Sequence, residues 1–77
     1  MTALTQVLVV EDEAVIRTAL KRLLERHEYQ VSEAGSVKES LDNFNMDDFD
    51  VIISDLRLPG APGTDLIKAT STPVLIM

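Results

Sequence analysis

The apolar run Val51-Ile52-Ile53 ends on Ser54-Asp55, and two Pro-Gly turns, Pro59-Gly60 and Pro62-Gly63, follow at once. Three consecutive β-branched residues suit a strand buried on both faces, as in the parallel sheet of an α/β domain. Ligands of open α/β sheets bind beyond the carboxyl ends of such strands, the place Asp55 occupies in the chain. Alone, an aspartate there most simply opens a turn. A second acidic cluster changes that reading. Gln6-Val7-Leu8-Val9-Val10 is another strand of the same kind, and it ends in Glu11-Asp12-Glu13. That triplet alone would be an acidic helix start that caps the helix and complements its dipole. Carboxylates at the ends of two matching strands point instead to a ligand site.

Between these runs the period changes. Ile16, Leu20, Leu23 and Leu24 fall at i, i+4, i+7 and i+8 and predict a helix from Ala14, with Arg17, Lys21, Arg22 and Glu25 facing away. Arg26 and His27 close it as the macrodipole favours, and His27 reads as a solvated helix-end residue. Tyr29-Gln30-Val31-Ser32-Glu33-Ala34 is a weaker, partly alternating strand, suited to a sheet edge. After Gly35, Ser36 and Glu39 match a capping box. Val37, Leu41 and Phe44 supply the apolar face of a second helix ending near Asn45. Met46-Asp47-Asp48 reads as a loop whose acids, with Asp50, are solvated. The third strand spans residues 49–54. A short helix is expected from Gly63 or Thr64 through Ala69, and a fourth strand over Pro73-Val74-Leu75-Ile76-Met77. A β-α-β-α-β-α-β order calls for a parallel sheet with right-handed crossovers.

Seventy-seven residues make one small domain. Thirteen acidic against seven basic residues, a net charge of −6, argue against this segment gripping nucleic acid, which takes clustered Lys and Arg. With no cysteine there is no disulfide and no thiolate metal site, which suits the cytosol. No targeting signal is visible, and no apolar stretch approaches the ~20 residues of a membrane helix.

Doubly wound sheets of the flavodoxin-like order place the first and third strands side by side at the switch point. Glu11, Asp12 and Asp55 could then converge on one pocket, since neighbouring strands lie ~4.8 Å apart. Three gathered carboxylates repel one another unless a cation intervenes. All-oxygen ligands select Mg2+ or Ca2+ over zinc or copper, and Mg2+ also binds substrate phosphate. A carboxylate beside such a metal can attack a phosphoryl group and form an aspartyl phosphate. The chain has no Gly-rich phosphate loop, no Ser/His/Asp set and no His-rich metal spacing.

Val9-Val10-Glu11-Asp12-Glu13, together with Asp55-Leu56-Arg57-Leu58-Pro59-Gly60 and Gly63, resembles the receiver domain of bacterial two-component response regulators, and the resemblance covers the whole chain. It implies a CheY-like doubly wound α/β fold with strand order 2-1-3-4, residues 1–77 being a partial receiver domain that lacks the fifth strand and the last helices. It implies that Asp55 is the phosphoacceptor, charged from a sensor histidine kinase. Glu11 and Asp12 would hold Mg2+, Asp12 the more directly, with Arg57 offering its backbone carbonyl. Glu11 stands where Asp is commoner in the family, which lengthens the reach to the metal. The family's switch Ser or Thr would follow Met77 directly, and its Lys would follow a fifth strand; neither is in this chain.

The resemblance therefore implies a cytoplasmic signalling switch, not an enzyme, whose output domain, of the transcription-regulating kind, lies in cis beyond residue 77. The alternatives are a Mg2+-dependent aspartyl-phosphate phosphohydrolase fragment, told apart by rapid turnover of the phosphoryl group, and a structural fragment with vestigial acids, told apart by metal binding. The fourth strand reads as covered on both faces and paired on both edges. Residues 1–77 in isolation are therefore expected to associate through it, with Ile16, Leu20 and Leu24 only partly buried.

Overall fold

The computed structural model of the chain describes residues 4–54 and 70–76. Four strands, β1 (Gln6–Val10), β2 (Gln30–Ala34), β3 (Val51–Ser54) and β4 (Val74–Ile76), form one parallel sheet in the order β2-β1-β3-β4. This is the expected order, and β2 is an edge as its weaker pattern predicts. The central strand β1 is the apolar run closed on both faces, with Val7, Leu8, Val9 and Val10 all buried. Helix α1 (Ala14–Arg26) packs on β1 and β2, and α2 (Val37–Asn43) packs on β2. The two helices cover opposite faces. Glu33 of β2 pairs with side chains of α1, whereas its neighbour Ala34 joins the core with Val37 of α2, and successive strand residues point to opposite sides.

The α2 side holds the main core: Leu8, Val10, Ala34, Val37, Met46, Phe49 and Ile52, with Phe44 and Val74 packed against it. The Phe44 and Phe49 rings meet edge to face at 5.7 Å, worth about 0.5–1.5 kcal/mol beyond area burial. Ser36 caps α2 as its sequence predicts, accepting from the Glu39 amide at 3.0 Å, and the Glu39 carboxylate reaches back to the Gly35 amide at 2.9 Å. Loss of such a cap costs about 1 kcal/mol. The buried face of α2 differs from expectation. It runs Val37, Ser40 and Phe44, with the Ser40 hydroxyl satisfied by Val37 O at 2.7 Å, while Leu41 stays exposed.

At the far end of α1 the chain reverses in a Schellman arrangement: the Glu28 amide donates to Glu25 O and the Tyr29 amide to Leu24 O, each at 3.1 Å. Glu28 takes the left-handed backbone this requires, with φ of 67°, at a steric cost of roughly 1–2 kcal/mol that glycine would avoid. His27 is the exposed C-cap, as expected. Residues 46–48, read from sequence as a loop, form a single 3₁₀ turn with Met46 buried beneath it. Its acids are exposed but partnered. Asp47 accepts from the Thr70 hydroxyl at 2.9 Å, and Asp50 accepts from the Gln6 amide at 2.7 Å, tying the entries of β4 and β1 to this corner. Thr72 adds a hydroxyl bond to Met46 O at 3.0 Å. The short helix predicted after the Pro-Gly turns lies outside the described residues.

α1 itself is turned from its predicted orientation. Leu20 and Leu24 are half-buried as expected, but so are Arg17 and Lys21, while Ile16 and Leu23 are 42% and 51% exposed. Glu33 draws the basic side of the helix toward β2: it stands 3.4 Å from Arg17 and 3.8 Å from Lys21. At the other side of the sheet, Leu75 of β4 is 58% exposed and Val74 and Ile76 only half-buried, so β4 is not covered on both faces among the described residues. No helix among the described residues is long and apolar enough to cross a membrane.

Candidate functional site

The register decides what stands at the carboxyl end of the sheet. Val10, the last residue of β1, lies opposite both Ala34 of β2 and Ser54 of β3, and Ser54 lies opposite Ile76 of β4. The ends of β1 and β3 are therefore level and adjacent. Glu11 and Asp12 are the next residues after the first of these ends. Asp55, the residue after Ser54, and Arg57 lie outside the described residues, as do both Pro-Gly turns.

Glu11 is 2% exposed, an unusual position for a carboxylate. Its backbone continues the sheet by one bond, the Glu11 amide donating to Ala34 O at 3.0 Å. The Glu11 Oε1 atom accepts from the Glu13 amide at 3.2 Å. Asp12 is exposed. Glu13 is the N-cap of α1 with extended backbone and no side-chain capping bond, and the first turn of the helix contains no acid. The acidic triplet thus does little to cap α1, which weighs against the plainest structural account of it.

Among the described residues no group of three His, Cys, Asp or Glu is placed to hold a metal ion. The described side contributes two carboxylates, one buried and one open to solvent. An all-oxygen set of this kind fits a hard divalent cation such as Mg2+ and gives no purchase to a thiophilic one. A shallow groove along α1 is lined by Ala14, Val15, Thr18, Ala19 and Arg22, none of them a carboxylate.

One residue at this site escaped sequence reasoning. Arg17 donates from Nη1 to the backbone carbonyl of Glu11 at 2.7 Å while its Nε stands 3.4 Å from Glu33. Helical spacing assigned it to the solvent face. The signal that could have found it is Glu33, a carboxylate near the end of β2, the strand beside β1.

A family model for the response regulator receiver domain matches residues 7–77. The chain belongs to the response regulator receiver domain family. Receiver domains are the signalling switches of two-component systems. Similarity to individual members agrees with this. The transcriptional regulatory protein ResD of Bacillus subtilis is 34% identical over 77 residues, which is 95% of this chain and 32% of ResD. The chain thus spans about a third of the length of that relative. The chemotaxis response regulator CheY4 of Vibrio cholerae superposes with a TM-score of 0.86 at 32% identity, covering 96% of this chain and 68% of CheY4. A Burkholderia pseudomallei response regulator, solved with a phosphorylated aspartic acid, a calcium ion and citrate, superposes with a TM-score of 0.80 at 30% identity over 94% of this chain and 45% of its own. The receiver fold implied by the resemblance of the two acidic motifs is therefore the fold of this chain.

Proposed function

We propose that this receiver domain accepts a phosphoryl group on Asp55 from a sensor histidine kinase, with Mg2+ held by Glu11, Asp12, Asp55 and the backbone carbonyl of Arg57. The observation that carries the reading is the level pairing of Val10 with Ser54, because the acidic pair follows one of these residues in the chain and Asp55 follows the other. The phosphorylated aspartic acid and calcium ion of the Burkholderia pseudomallei neighbour support the same chemistry. An Asp55 carboxylate oxygen attacks the phosphorus of a phosphohistidine. An O–P bond forms, the P–N bond breaks, and its electron pair stays on the imidazole nitrogen. Mg2+, when bound, supplies positive charge to the phosphoryl oxygens. Asp12, exposed and short, is the more direct ligand, and buried Glu11 takes part from deeper in the site.

The domain acts as a switch, not an enzyme with a turned-over substrate, in the cytoplasm. Residues 1–77 supply part of a receiver domain, and a transcription-regulating output domain in cis beyond residue 77 reads its state, as the name of ResD suggests. This segment, with a net charge of −6, contacts neither nucleic acid nor membrane.

The metal role is tested by melting the full-length protein with and without Mg2+. At a hundred times Kd, Mg2+ should add about 2.7 kcal/mol by mass action. Asp12→Ala should abolish that gain while leaving the metal-free melt no less stable, because it removes a ligand and a like-charge repulsion together. An unchanged Mg2+ response in the variant would count against the assignment. A second measurement concerns β4, whose Leu75 is largely exposed at the edge of the described sheet. A 77-residue polypeptide of this sequence should self-associate through that edge. Light scattering that finds a monodisperse monomer would show that the edge does not pair.

A further inference from the structure

We infer that Arg17 is a positioning residue for the acidic pair, a clamp that sets the backbone of the β1–α1 turn so that Glu11 and Asp12 face the metal. The inference rests on the metal role proposed above for these two acids. Three observations carry it. Arg17 Nη1 donates to Glu11 O at 2.7 Å, a charge-assisted bond to the backbone of the buried acid itself. The guanidinium is anchored on β2 by Glu33 at 3.4 Å, and the Arg17 side chain is only 23% exposed. Its Nη1 also lies beside Gly35, the residue after β2, where an added Cβ would stand 3.4 Å from Nη1 and 3.1 Å from Glu39 Oε2. One side chain thus ties the end of β1 to the end of β2 at the carboxyl edge of the sheet.

The physical reason for such a brace lies in the turn. Glu11 and Asp12 follow a rigid central strand, but Glu13 makes no side-chain cap for α1, and across the turn the Glu13 amide reaches Glu11 Oε1 only at 3.2 Å. Without Arg17, Glu11 O would lose its charged donor, and the peptide linking Glu11 to Asp12 could rotate. That rotation moves the Asp12 side chain, the more direct ligand. The opposing effect is electrostatic. A cationic side chain near a cation site repels the metal, but Glu33 lies close enough to offset most of that charge. Positioning should therefore outweigh repulsion.

Among the described residues, Arg17 is the basic side chain bonded to the backbone of this turn. Lys21 shares Glu33 at 3.8 Å but has no bond to the turn, so it serves as a comparison. The relevant scale is that of outer-shell partners of metal ligands, whose loss costs roughly 10–100-fold in metal affinity.

The test uses the full-length protein and Mg2+ itself, titrated by calorimetry, alongside urea melts without metal. Arg17→Met, which keeps the aliphatic stem, should weaken Mg2+ binding roughly tenfold or more, and Arg17→Lys should recover part of that loss. Lys21→Met should leave the Mg2+ Kd within about twofold of wild type. If Arg17→Met lowers the metal-free stability but leaves the Mg2+ Kd unchanged, Arg17 is only a structural tie and the inference fails. If Arg17→Met tightens Mg2+ binding, charge repulsion dominates and the inference fails as well. Asp12→Ala separates the two levels of reading. Undiminished Mg2+ binding in that variant would remove the underlying metal assignment, whereas its loss alongside a normal Arg17→Met would remove only the clamp.

Discussion

Replacing Asp55 with asparagine is expected to abolish phosphorylation of the full-length protein by a small-molecule phosphodonor in the presence of Mg2+. The amide is isosteric with the carboxylate but lacks the anionic oxygen that attacks phosphorus. No other acid combines the same two properties, a place directly after a strand end and a neighbouring strand end that leads into an acidic pair. Asp47, Asp48 and Asp50 lie before β3 rather than after it, and Asp47 and Asp50 are already engaged by Thr70 and the Gln6 amide. Glu11 and Asp12 are metal ligands in the proposed mechanism. Intact-mass analysis should therefore find one phosphoryl group on the wild-type protein and none on Asp55→Asn. Labelling that persists in the variant would move the acceptor to another residue and undo the proposed mechanism. A phosphoryl group retained long after the donor is removed separates a switch from a phosphohydrolase, in which it would turn over.

The second large effect is on stability. Ile52 is completely buried, pairs across the sheet with Leu8 on one side and Val74 on the other, and joins the core beneath α2 and the 3₁₀ turn. Ile52→Ala removes three methyl or methylene carbons from a place with no solvent to fill it. The sheet on either side is hydrogen-bonded and cannot collapse inward, so the expected loss is about 2–5 kcal/mol. Against a total of about 5–15 kcal/mol for a domain, the upper end of that loss would remove all the stability of a domain at the lower end. Ile52→Val, which deletes one carbon, should cost only about 0.5–1.5 kcal/mol. Urea melts of both variants in the full-length protein give the comparison. A loss under about 1 kcal/mol for Ile52→Ala would mean that the core repacks around the gap. Because β3 leads directly to Asp55, the same variant should lower the fraction of protein competent for phosphorylation in step with its unfolding. A drop in phosphorylation well beyond the loss of folded protein would reveal a distortion of the strand end instead.

Much of the fold was legible in the chain because its signals are local. A run of β-branched and apolar residues reports burial on both faces wherever it falls, so β1 was located to the residue. β3 and β4 were found with slightly early starts, residue 49 against Val51 and residue 73 against Val74, Met77 lying outside the described residues. The Ser36–Glu39 cap is likewise a bond between residues three apart, and it forms as read. The strand order came with the receiver resemblance that the two acidic motifs carry, since right-handed crossovers alone allow other orders in a doubly wound sheet. Half of the site could be read the same way, since Glu11 and Asp12 follow β1 by simple connectivity.

Local pattern therefore located the strands and the acids that follow two of their ends, and the motifs at those ends carried the strand order through the family they resemble. The tertiary structure decided the orientation of the helices and the partners of the charges. Helical periodicity defines an apolar arc but not its rotation against a neighbour, and two long basic side chains can lay their stems inward as well as a leucine can. Whether Arg17 faced water or β2 depended on Glu33, sixteen positions away and on another strand, which no local pattern reports. Leu41 and Ser40 exchanged places on α2 for a related reason: the hydroxyl of Ser40 could be satisfied inside its own helix, so burying it beside the tightly packed Val37 left no unpaired group. The partners of Asp47 and Asp50 depended on how the entries of β4 and β1 meet the 3₁₀ turn. Contacts between residues far apart in the chain exist only once the sheet has assembled, and the clamp on the acidic pair is one of them.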